Sequence, residues 1–519
     1  MFRNDPEKDF NRICRAFNKI NHENLRSILR DNADTVIGKK YGFSEISSPE
    51  EFMGKVPISN AGDYASLVSR MINGEENVLT SYPLYCFVAT SGSAGVRKIF
   101  PLTTKALQRY GSYIDDKASR VAESAIGKRL FINMLRVDPD KPLKKDEPLL
   151  LSEAYYRYQY ETGAFDPDRF IGGRELTFFS SEDKEYFYAK LWAAFAKDKT
   201  VTIESIFLYD VLLFFEYLKK NGTQIIQDMK KRSIPDTVKL SLHVKQELLK
   251  MDIDDVRLDN ILEECARGYD GIAKRIFPGL KMISGISSRP SLTEEVMLKR
   301  YTADIPVSHF CYVASECHLG IAAGEYDYVL LPLSCFYEFR PIDEYTDRTV
   351  SAEELIVGRD YELIITTFNG LYRYELGDVM TVTGFIGQTP VVRFQYRKDL
   401  LLNIAGEKID ELTLETAMRR VEEKYALSIS EYFVRADYKE LPGRYEIIVC
   451  AEKTVDTDKL SSDLDGMIAD LSCDYNDLRM IGEIGQPVIR IFDEEKYKNI
   501  KSRFMSGQGH VKPMHIVTS

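Results

Sequence analysis

Apolar side chains recur at helical spacing in the first 80 residues of the chain. Phe10, Ile13, Cys14, Phe17 and Ile20 follow one another at three- and four-residue intervals, which places them on one face of a helix. No internal repeat or low-complexity tract interrupts the chain after this point. The pattern therefore predicts a helical N-terminal region.

The middle of the chain alternates between helix-like and strand-like segments. Residues 204–220 are rich in Leu, Phe and Tyr and precede Asn221-Gly222, which predicts a helix that stops there. Helical patterns also cover residues 256–276 and 351–355. Strand-like segments lie at residues 281–284, 328–332, 361–367, 379–385 and 391–396. This alternation favours an α/β arrangement.

The pattern changes after residues 397–399. Residues 411–425 predict a helix with Leu414, Met418, Val421 and Tyr425 on one face. A strand, a charged helix and a second strand are predicted at residues 445–450, 460–471 and 488–492. This compact α+β unit of about 120 residues is large enough to have its own core. We therefore predict two domains, residues 1–396 and 397–519.

Charge and composition narrow the class of protein. The 519 residues include 69 Lys and Arg against 80 Asp and Glu, a formal net charge of −11. A net-negative surface repels phosphate backbones, so we expect no nucleic-acid partner. No apolar run approaches the roughly 18 residues of a membrane span, and the first residues are charged, unlike a secretory signal. We therefore expect a cytoplasmic protein without a membrane partner.

The cysteines and histidines indicate neither disulfides nor zinc. The 8 cysteines are scattered and none forms a Cys-x-x-Cys pair, so we expect reduced, partly buried thiols. The 6 histidines include no His-Glu-x-x-His motif, so no zinc site is predicted. No Ser-His-Asp or Cys-His pattern suggests a covalent nucleophile.

A loop rich in glycine and hydroxyl groups is the most informative local sequence. An apolar strand leads into residues 90–95, which are followed by Arg97 and Lys98. Glycine lets backbone N–H groups approach an anion, and the hydroxyls and lysine add donors and charge, which suits a nucleotide phosphate. The loop is neither a Walker sequence nor a nucleophile elbow, and an ordinary glycine-serine turn is the alternative.

Three further segments carry groups that suit a nucleotide. Ser315-Glu316 follows an apolar run and offers a hydroxyl beside a carboxylate, the kind of ligand that Mg²⁺ prefers. Gly377-Asp378 lies at a predicted strand start, where a carboxylate can accept ribose hydroxyls. Residues 397–399 and 406–411 alternate in charge. Each has a simpler alternative, which is an exposed strand end, a plain turn or a solvated face.

Taken in order, these segments resemble the adenylate-forming acyl ligase superfamily. Within this superfamily, the sequences of the motifs are most similar to those of the Gretchen Hagen family of acyl acid amido synthetases, which includes auxin-responsive enzymes and microbial relatives. The similarity extends from about residue 50 to the C-terminus, and five loose motifs stand in the family order. Further short segments that resemble the family lie at residues 56–58, 74–75, 336–341, 370–374, 382–385 and 407–411.

The resemblance implies a role for each candidate residue of the large domain. Tyr312 would lie against adenine, Ser315 near the α-phosphate and Glu316 on Mg²⁺. Asp378 would bind the ribose. The phosphates of ATP would be cradled by Thr90, Ser91, Gly92, Ser93 and Gly95, with Lys98 nearby.

The resemblance also places cations at and beyond the domain boundary. Arg397 and Lys408 would reach the nucleotide from the hinge and the small domain, and Lys512 would bridge the carboxylate and the α-phosphate. The sequence departs from the family in two places. Ser93 replaces the usual threonine in a loop that is one residue shorter than in plant members, and Lys512 directly precedes Pro513.

The fold implied is an α/β large N-terminal adenylate-forming domain of β-sheets flanked by helices, with a small mobile α+β C-terminal domain. The activity implied is ATP-dependent: a carboxylic acid becomes acyl-AMP with pyrophosphate release, and the acyl group passes to an amine such as an amino acid. An acyl-CoA ligase with a thiol acceptor and a catalytically silent binding protein are the alternatives. The sequence indicates neither the acyl acid nor the oligomeric state.

The aromatic stretch that begins at Tyr155 is compatible with two structures. It could line an aromatic or aliphatic acyl pocket, or it could be ordinary core. The aromatic side chains concerned are Tyr155, Tyr156, Tyr158, Tyr160, Phe178 and Phe179.

Overall fold

We describe the protein from a computed structural model of the chain. The structure describes residues 6–89, 98–110, 127–133, 135, 137–178, 183, 185–196, 199–286, 293–324, 326–343, 348–398, 402, 404, 409, 411–437, 439, 442–452, 455–480, 482, 484–504 and 516–517.

The N-terminal region is helical, which confirms the prediction from its apolar spacing. Its helices are α1 (Pro6–Arg15), α2 (Phe17–Asp31), α3 (Val36–Tyr41), α4 (Pro49–Lys55) and α5 (Ala61–Ile72). Ser48 caps α4, and a reciprocal Asn60–Asp63 capping box begins α5. The hairpin β1 (Leu84–Ala89) and β2 (Ile99–Thr103) follows, and α6 (Thr104–Tyr110) leaves it directly.

A four-stranded parallel sheet covered by helices forms the next layer. Its strands are β3 (Lys128–Phe131), β4 (Thr200–Phe207), β5 (Met282–Ile286) and β6 (Val307–Ser308), paired in that order. The helices between them are α7 (Leu151–Glu161), α8 (Tyr186–Ala196), α9 (Leu208–Lys230), α10 (Leu242–Leu249), α11 (Asp255–Ala266), α12 (Ile272–Ile276) and α13 (Thr293–Thr302). Buried side chains of α8, α9 and α11 share one core with this sheet.

The helix predicted at residues 204–220 is wrong at both ends. Residues 204–207 complete β4, and α9 continues through Asn221-Gly222 to Lys230. The apolar face of α9 continues beyond the glycine, since Ile225, Ile226 and Met229 are all fully buried. Tertiary packing therefore outweighs the local stop signal.

Two other predicted helices are interrupted or shorter than expected. Residues 256–276 form α11 and α12, separated at Gly268 and Gly271, whose φ values of 101° and 64° do not fit a helix. Residues 351–355 contain only the single 3₁₀ turn Ala352–Glu354.

A seven-stranded antiparallel sheet forms the third layer. Its strands are β7 (Cys311–Ala314), β8 (Cys317–Ala322), β9 (Asp327–Leu330), β10 (Cys335–Pro341), β11 (Asp360–Thr367), β12 (Tyr374–Ile386) and β13 (Thr389–Arg397). They pair in the order β10-β11-β12-β13-β9-β8-β7. One core joins this sheet to the N-terminal helices, where Asn21 and Asn24 donate to backbone carbonyls of Tyr337 and Cys335. The five strands predicted in the middle of the chain are all present.

The C-terminal region has a core of its own. Its elements are α14 (Glu411–Tyr425), β14 (Ile429–Asp437), β15 (Arg444–Ala451), α15 (Thr457–Leu471), α16 (Cys473–Met480), β16 (Val488–Phe492), α17 (Glu494–Phe504) and β17 (Ile516–Val517). The four strands pair in the order β16-β15-β14-β17. Side chains of α14, β15 and α15 bury one another between the sheet and the helices. The α+β character and the four elements predicted here are confirmed.

Two findings concern the membrane-spanning helices and the cysteines that the sequence analysis considered. None of the helices in the described ranges is long and apolar enough to cross a membrane. Seven of the cysteines are free and buried among the described residues, as the sequence predicts.

Candidate active site

Tyr312 and Asp378 meet inside the curved seven-stranded sheet. Tyr312 lies on β7, and its hydroxyl donates to Asp378 Oδ2 on β12 at 2.6 Å. Three strands separate β7 from β12 in the sheet, so only a strongly curved sheet brings the two side chains together. Burial raises the pKa of Tyr312 well above its ordinary value, and the neighbouring carboxylate adds to this effect. The tyrosine therefore stays a neutral hydrogen-bond donor.

Asp378 is aimed by an irregularity in its strand. The sequence predicted a strand start here, but Asp378 lies inside β12, four residues after its beginning at Tyr374. Between the pairs Ile364↔Glu375 and Glu362↔Val379, β12 carries two more residues than β11. Gly377 has a φ of 76°, which this bulge requires and which favours glycine. The bulge leaves the Asp378 side chain 2% exposed at the centre of the site.

Arg397 completes this group from the end of β13. It faces Asp378 directly across the strand pair, and its Nε donates to Asp378 Oδ1 at 2.5 Å. The attraction of Asp378 raises the pKa of Arg397 further above its usual value, and Glu316 contributes to the same effect. The guanidinium is therefore bonded to Asp378 and is also attracted by the charge of Glu316.

Glu316 lies at the tip of the hairpin between β7 and β8. Ala314 pairs with Cys317, so Ser315 and Glu316 form a two-residue connection. The Glu316 side chain is 7% exposed and its Oε1 accepts the Tyr374 hydroxyl at 3.1 Å. Burial raises the pKa of Glu316, while Arg397 and the tyrosine hydroxyl act in the opposite direction. A positive ion beside this buried carboxylate would be stabilised.

The structure adds residues around Glu316 that sequence reasoning missed. The Asn369 amide donates to the Glu316 carbonyl oxygen at 3.2 Å and to the Tyr110 hydroxyl at 2.9 Å. His318 stacks on Tyr110 with ring centroids 4.5 Å apart, and its buried Nδ1 has no hydrogen-bond partner among the residues that the structure describes. Tyr374 lies within one of the segments that resemble the family, but no local pattern signals that its hydroxyl reaches Glu316.

Among the remaining predicted residues of the site, Lys98 is the one in the described ranges. Lys98 is exposed immediately before β2. The predicted residues that lie outside the described ranges are Thr90, Ser91, Gly92, Ser93, Gly95, Lys408 and Lys512.

The donor set suits a metal ion that keeps other ligands. The described residues contain no group of three or more His, Cys, Asp or Glu side chains able to hold a metal. Mg²⁺ in nucleotide sites uses one or two carboxylates together with phosphate oxygens and water. The single buried carboxylate of Glu316 fits that pattern.

The aromatic stretch after Tyr155 packs mainly against other rings. Tyr156 contacts the rings of Phe131 and Phe165 with centroids 5.2 and 5.3 Å apart, and Tyr160 contacts Phe178 at 5.4 Å. These contacts favour the core interpretation. Phe179 lies outside the described residues.

Comparison with solved structures defines the class of fold. The solved structure of AtGH3.15 acyl acid amido synthetase in complex with 2,4-DB is similar, with a TM-score of 0.85 and 20% sequence identity. The match covers 100% of this chain and 96% of that one. A 2-hydroxyisobutyryl-CoA ligase in a postadenylation state has a TM-score of 0.53 and 9% identity, covering 99% and 88%. The fold is therefore that of the adenylate-forming ligases, which confirms the predicted fold class.

Sequence comparison defines the family. The GH3 family N-terminal, central and C-terminal domains match residues 6–307, 328–397 and 412–519. The chain therefore belongs to the GH3 family. This is the Gretchen Hagen family that the sequence motifs resemble, so that prediction is confirmed.

Two curated relatives are indole-3-acetic acid-amido synthetases. GH3.8 of Oryza sativa subsp. indica is 27% identical over 447 residues, which cover 82% of this chain and 74% of the relative. GH3.3 of Arabidopsis thaliana is 26% identical over 446 residues, covering 82% and 75%.

Proposed function

We propose that the chain is an ATP-dependent acyl acid amido synthetase. It activates a carboxylic acid as acyl-AMP with release of pyrophosphate, then transfers the acyl group to an amine such as an amino acid. The observation that carries this proposal is the cluster of Tyr312, Glu316, Asp378 and Arg397 in a chain of the GH3 family. The activity predicted from the sequence agrees with that of the named relatives.

The nucleoside part of ATP is held by Tyr312 and Asp378. An ionised carboxylate offers about four acceptor positions, and Tyr312 and Arg397 each use one on Asp378. The remaining positions accept ribose hydroxyls, and the Tyr312 ring lies against adenine. Arg397 places its positive charge against this carboxylate.

The phosphate part needs positive charge and N–H donors. Thr90, Ser91, Gly92, Ser93 and Gly95 supply donors, with Lys98 nearby, and Ser315 lies by the α-phosphate. Glu316 would hold Mg²⁺, which supplies positive charge at the phosphate oxygens when it is bound. The burial of Glu316 supports this role, because a buried carboxylate gains from a cation beside it.

The two half-reactions follow from the chemistry of the carboxylate. A free carboxylate has a poor leaving group, so its oxygen first attacks the α-phosphorus and expels pyrophosphate. Donors aimed at the phosphoryl oxygens lower this barrier by about 3 kcal/mol each. The amine nitrogen then attacks the acyl carbon and AMP leaves. This step needs a bound amine and exclusion of water rather than a covalent enzyme nucleophile.

The small C-terminal domain acts on the first half-reaction through its lysines. Residues 397–519 form this mobile domain in the proposal, with Lys408 reaching the nucleotide and Lys512 bridging the acid and the α-phosphate. A second domain position then admits the amine.

The test is pyrophosphate release from ATP over a panel of carboxylic acids that begins with indole-3-acetic acid and 2,4-DB. We expect release that depends on one class of acid. Mass spectrometry of reactions that contain mixed amino acids or coenzyme A then identifies the acceptor. A thioester in place of an amide would make the protein an acyl-CoA ligase. If none of the acids supports pyrophosphate release, the protein is a catalytically silent homologue.

A further inference from the structure

Two consecutive cations mark the end of strand β13, because Arg397 is its last residue and Lys398 follows it. Their side chains interact on opposite faces of the sheet. Arg397 pairs in register with Asp378 on the face of the proposed nucleotide site. Tyr396 is in register with Val379, and Val379 with Glu362, so these residues share the other face. Lys398 directly follows the last residue of the strand, and its bond to Glu362 places its side chain on that second face.

Lys398 is bound there to a buried carboxylate. Its Nζ donates to Glu362 Oε2 at 2.7 Å, and Glu362 is only 1% exposed. The same oxygen accepts Arg340 Nε at 2.9 Å. Arg340 also donates to Glu375 Oε2 at 2.9 Å. We call Lys398, Glu362, Arg340 and Glu375 the β13 clamp.

The charges of the β13 clamp balance only when Lys398 takes part. Two carboxylates, Glu362 and Glu375, face two cations, Arg340 and Lys398. Without the lysine, Arg340 alone serves two carboxylates, one of them buried. Loss of one partner of a buried pair is costly, unlike loss of an exposed pair. Lys398 is therefore held firmly even though its own side chain is 38% exposed.

The end of β13 has a backbone partner on one side only among the described strands. Its neighbour β9 pairs only with Val391, Val392 and Arg393. Residues 394–397 therefore pair with β12 alone among the described strands, and this pairing has an irregularity beside Val379. Strand ends with one neighbour open locally at low free energy. Arg397 stands at this weak end.

We infer that Lys398 is a positioning residue for nucleotide binding. Its bond to Glu362 on one face of the sheet fixes the end of β13, and this holds the Arg397 guanidinium on Asp378 at the other face. The inference rests on the proposed function, because Asp378 and Arg397 are there the nucleotide-binding pair. Lys398 itself touches neither substrate nor reacting atoms.

The test compares Lys398→Met with Arg393→Met in the full-length chain. Arg393 lies on β13 and forms an ion pair near the surface with Asp327 of β9, with Nε 2.7 Å from Oδ1, so it is a matched control. Binding of α,β-methylene-ATP is measured by calorimetry. We expect Lys398→Met to raise the dissociation constant about ten- to a hundredfold, since displaced positioning groups have effects of that size. Arg393→Met should leave it unchanged.

Three further measurements separate positioning from general damage. Lys398→Arg should restore binding, because arginine can also reach Glu362. The double variant Lys398→Met, Glu362→Gln should bind the nucleotide only slightly more weakly than Lys398→Met, as expected when the two residues form a single interaction. Hydrogen exchange of the amides at residues 394–397 should quicken about tenfold in Lys398→Met and stay unchanged in Arg393→Met.

The outcomes distinguish this inference from the proposed function. Unchanged nucleotide binding in Lys398→Met overturns the inference, as does equal exchange at the end of β13. Nucleotide binding without acid-dependent pyrophosphate release contradicts the proposed activity and leaves the clamp supported. A wild-type chain that binds no nucleotide overturns both.

Discussion

Glu316 is the side chain of the described site that would hold Mg²⁺ in the proposed reaction. We expect Glu316→Gln to lower acid-dependent pyrophosphate release by about a hundred- to a thousandfold, the usual effect of removing one charge-stabilising group. The amide has nearly the same shape and can still accept the Tyr374 hydroxyl, so the fold should be retained. Activity is measured by pyrophosphate exchange and folding by thermal unfolding. Near-normal exchange in a folded variant would remove Glu316 from the proposed metal site.

His318 should make the protein sensitive to acid. Burial lowers the pKa of His318 to about 3 from an ordinary value of 6.5. The unfolded chain therefore binds a proton at a pH where the folded chain does not. The stability from this residue is complete above about pH 6.5 and is lost as the pH falls toward 3, by about 1.4 kcal/mol per pH unit.

His318→Phe keeps a ring against Tyr110 and removes the titration. We expect the free energy of unfolding to fall less steeply for this variant than for the wild type, by about 2 kcal/mol between about pH 7.5 and 5. Urea unfolding at several pH values measures the difference. If the free energy of unfolding depended on pH in the same way for both proteins, folding would not lower the pKa of His318, and this prediction would be wrong.

The start of strand β12 depends on Arg373, which ties it to the N-terminal helices. Its backbone has a φ of 46°, unusual for arginine. Its guanidinium donates to the carbonyl oxygens of Met53 and Val56, to Glu338 and to Thr349. The next residue, Tyr374, reaches Glu316. This network therefore sets both the strand and one hydrogen bond of the site.

We expect Arg373→Met to lower the free energy of unfolding by about 3 to 5 kcal/mol, because it leaves Glu338 buried without a cation. Burial already raises the pKa of Glu338, and Arg373 opposes that shift. The double variant Arg373→Met, Glu338→Gln should recover part of the loss, since the unpaired charge is gone. Urea unfolding measures each step, and Arg393→Met serves as an exposed control. A single-variant loss below about 1 kcal/mol would contradict a buried pair.

Local pattern predicts elements better than it predicts how they meet. The helix at residues 411–425 and the strands at 361–367 and 488–492 follow from apolar spacing within each segment. The stop at Asn221-Gly222 is wrong because the side chains buried beyond it lie against other helices. Such packing depends on residues far away in sequence.

The same limit applies to the site. Tyr312, Glu316 and Asp378 follow from ordered family-like motifs. The bonds from Tyr374 to Glu316 and from Lys398 to Glu362 join residues 58 and 36 positions apart. They depend on the bulge at Gly377 and on the register of the seven-stranded sheet, and that register has no local sequence signal.

At the scale of the whole molecule, the charge of the described site explains why positive charge from outside it is needed. Glu316, Asp378 and Arg397 together carry one net negative charge, and the chain carries −11. ATP and a carboxylate are both anions, so this group cannot hold them by charge alone. Positive charge must come from elsewhere in the chain or from a metal. Lys512, within the GH3 family C-terminal domain at residues 412–519, is the proposed source for the first half-reaction.

We therefore expect Lys512→Ala to reduce pyrophosphate exchange at least about a hundredfold. It should leave transfer from a chemically prepared acyl-AMP to the amine nearly unchanged, because the α-phosphorus has already reacted. Lys501→Ala is the matched control, since Lys501 belongs to the same domain and its Nζ bonds to Glu431 Oε2 at 2.5 Å. Loss of both half-reactions in Lys512→Ala would indicate a structural role for the lysine. Unchanged exchange would assign the bridging charge to another residue, with Lys408 the next to be tested by the same two assays.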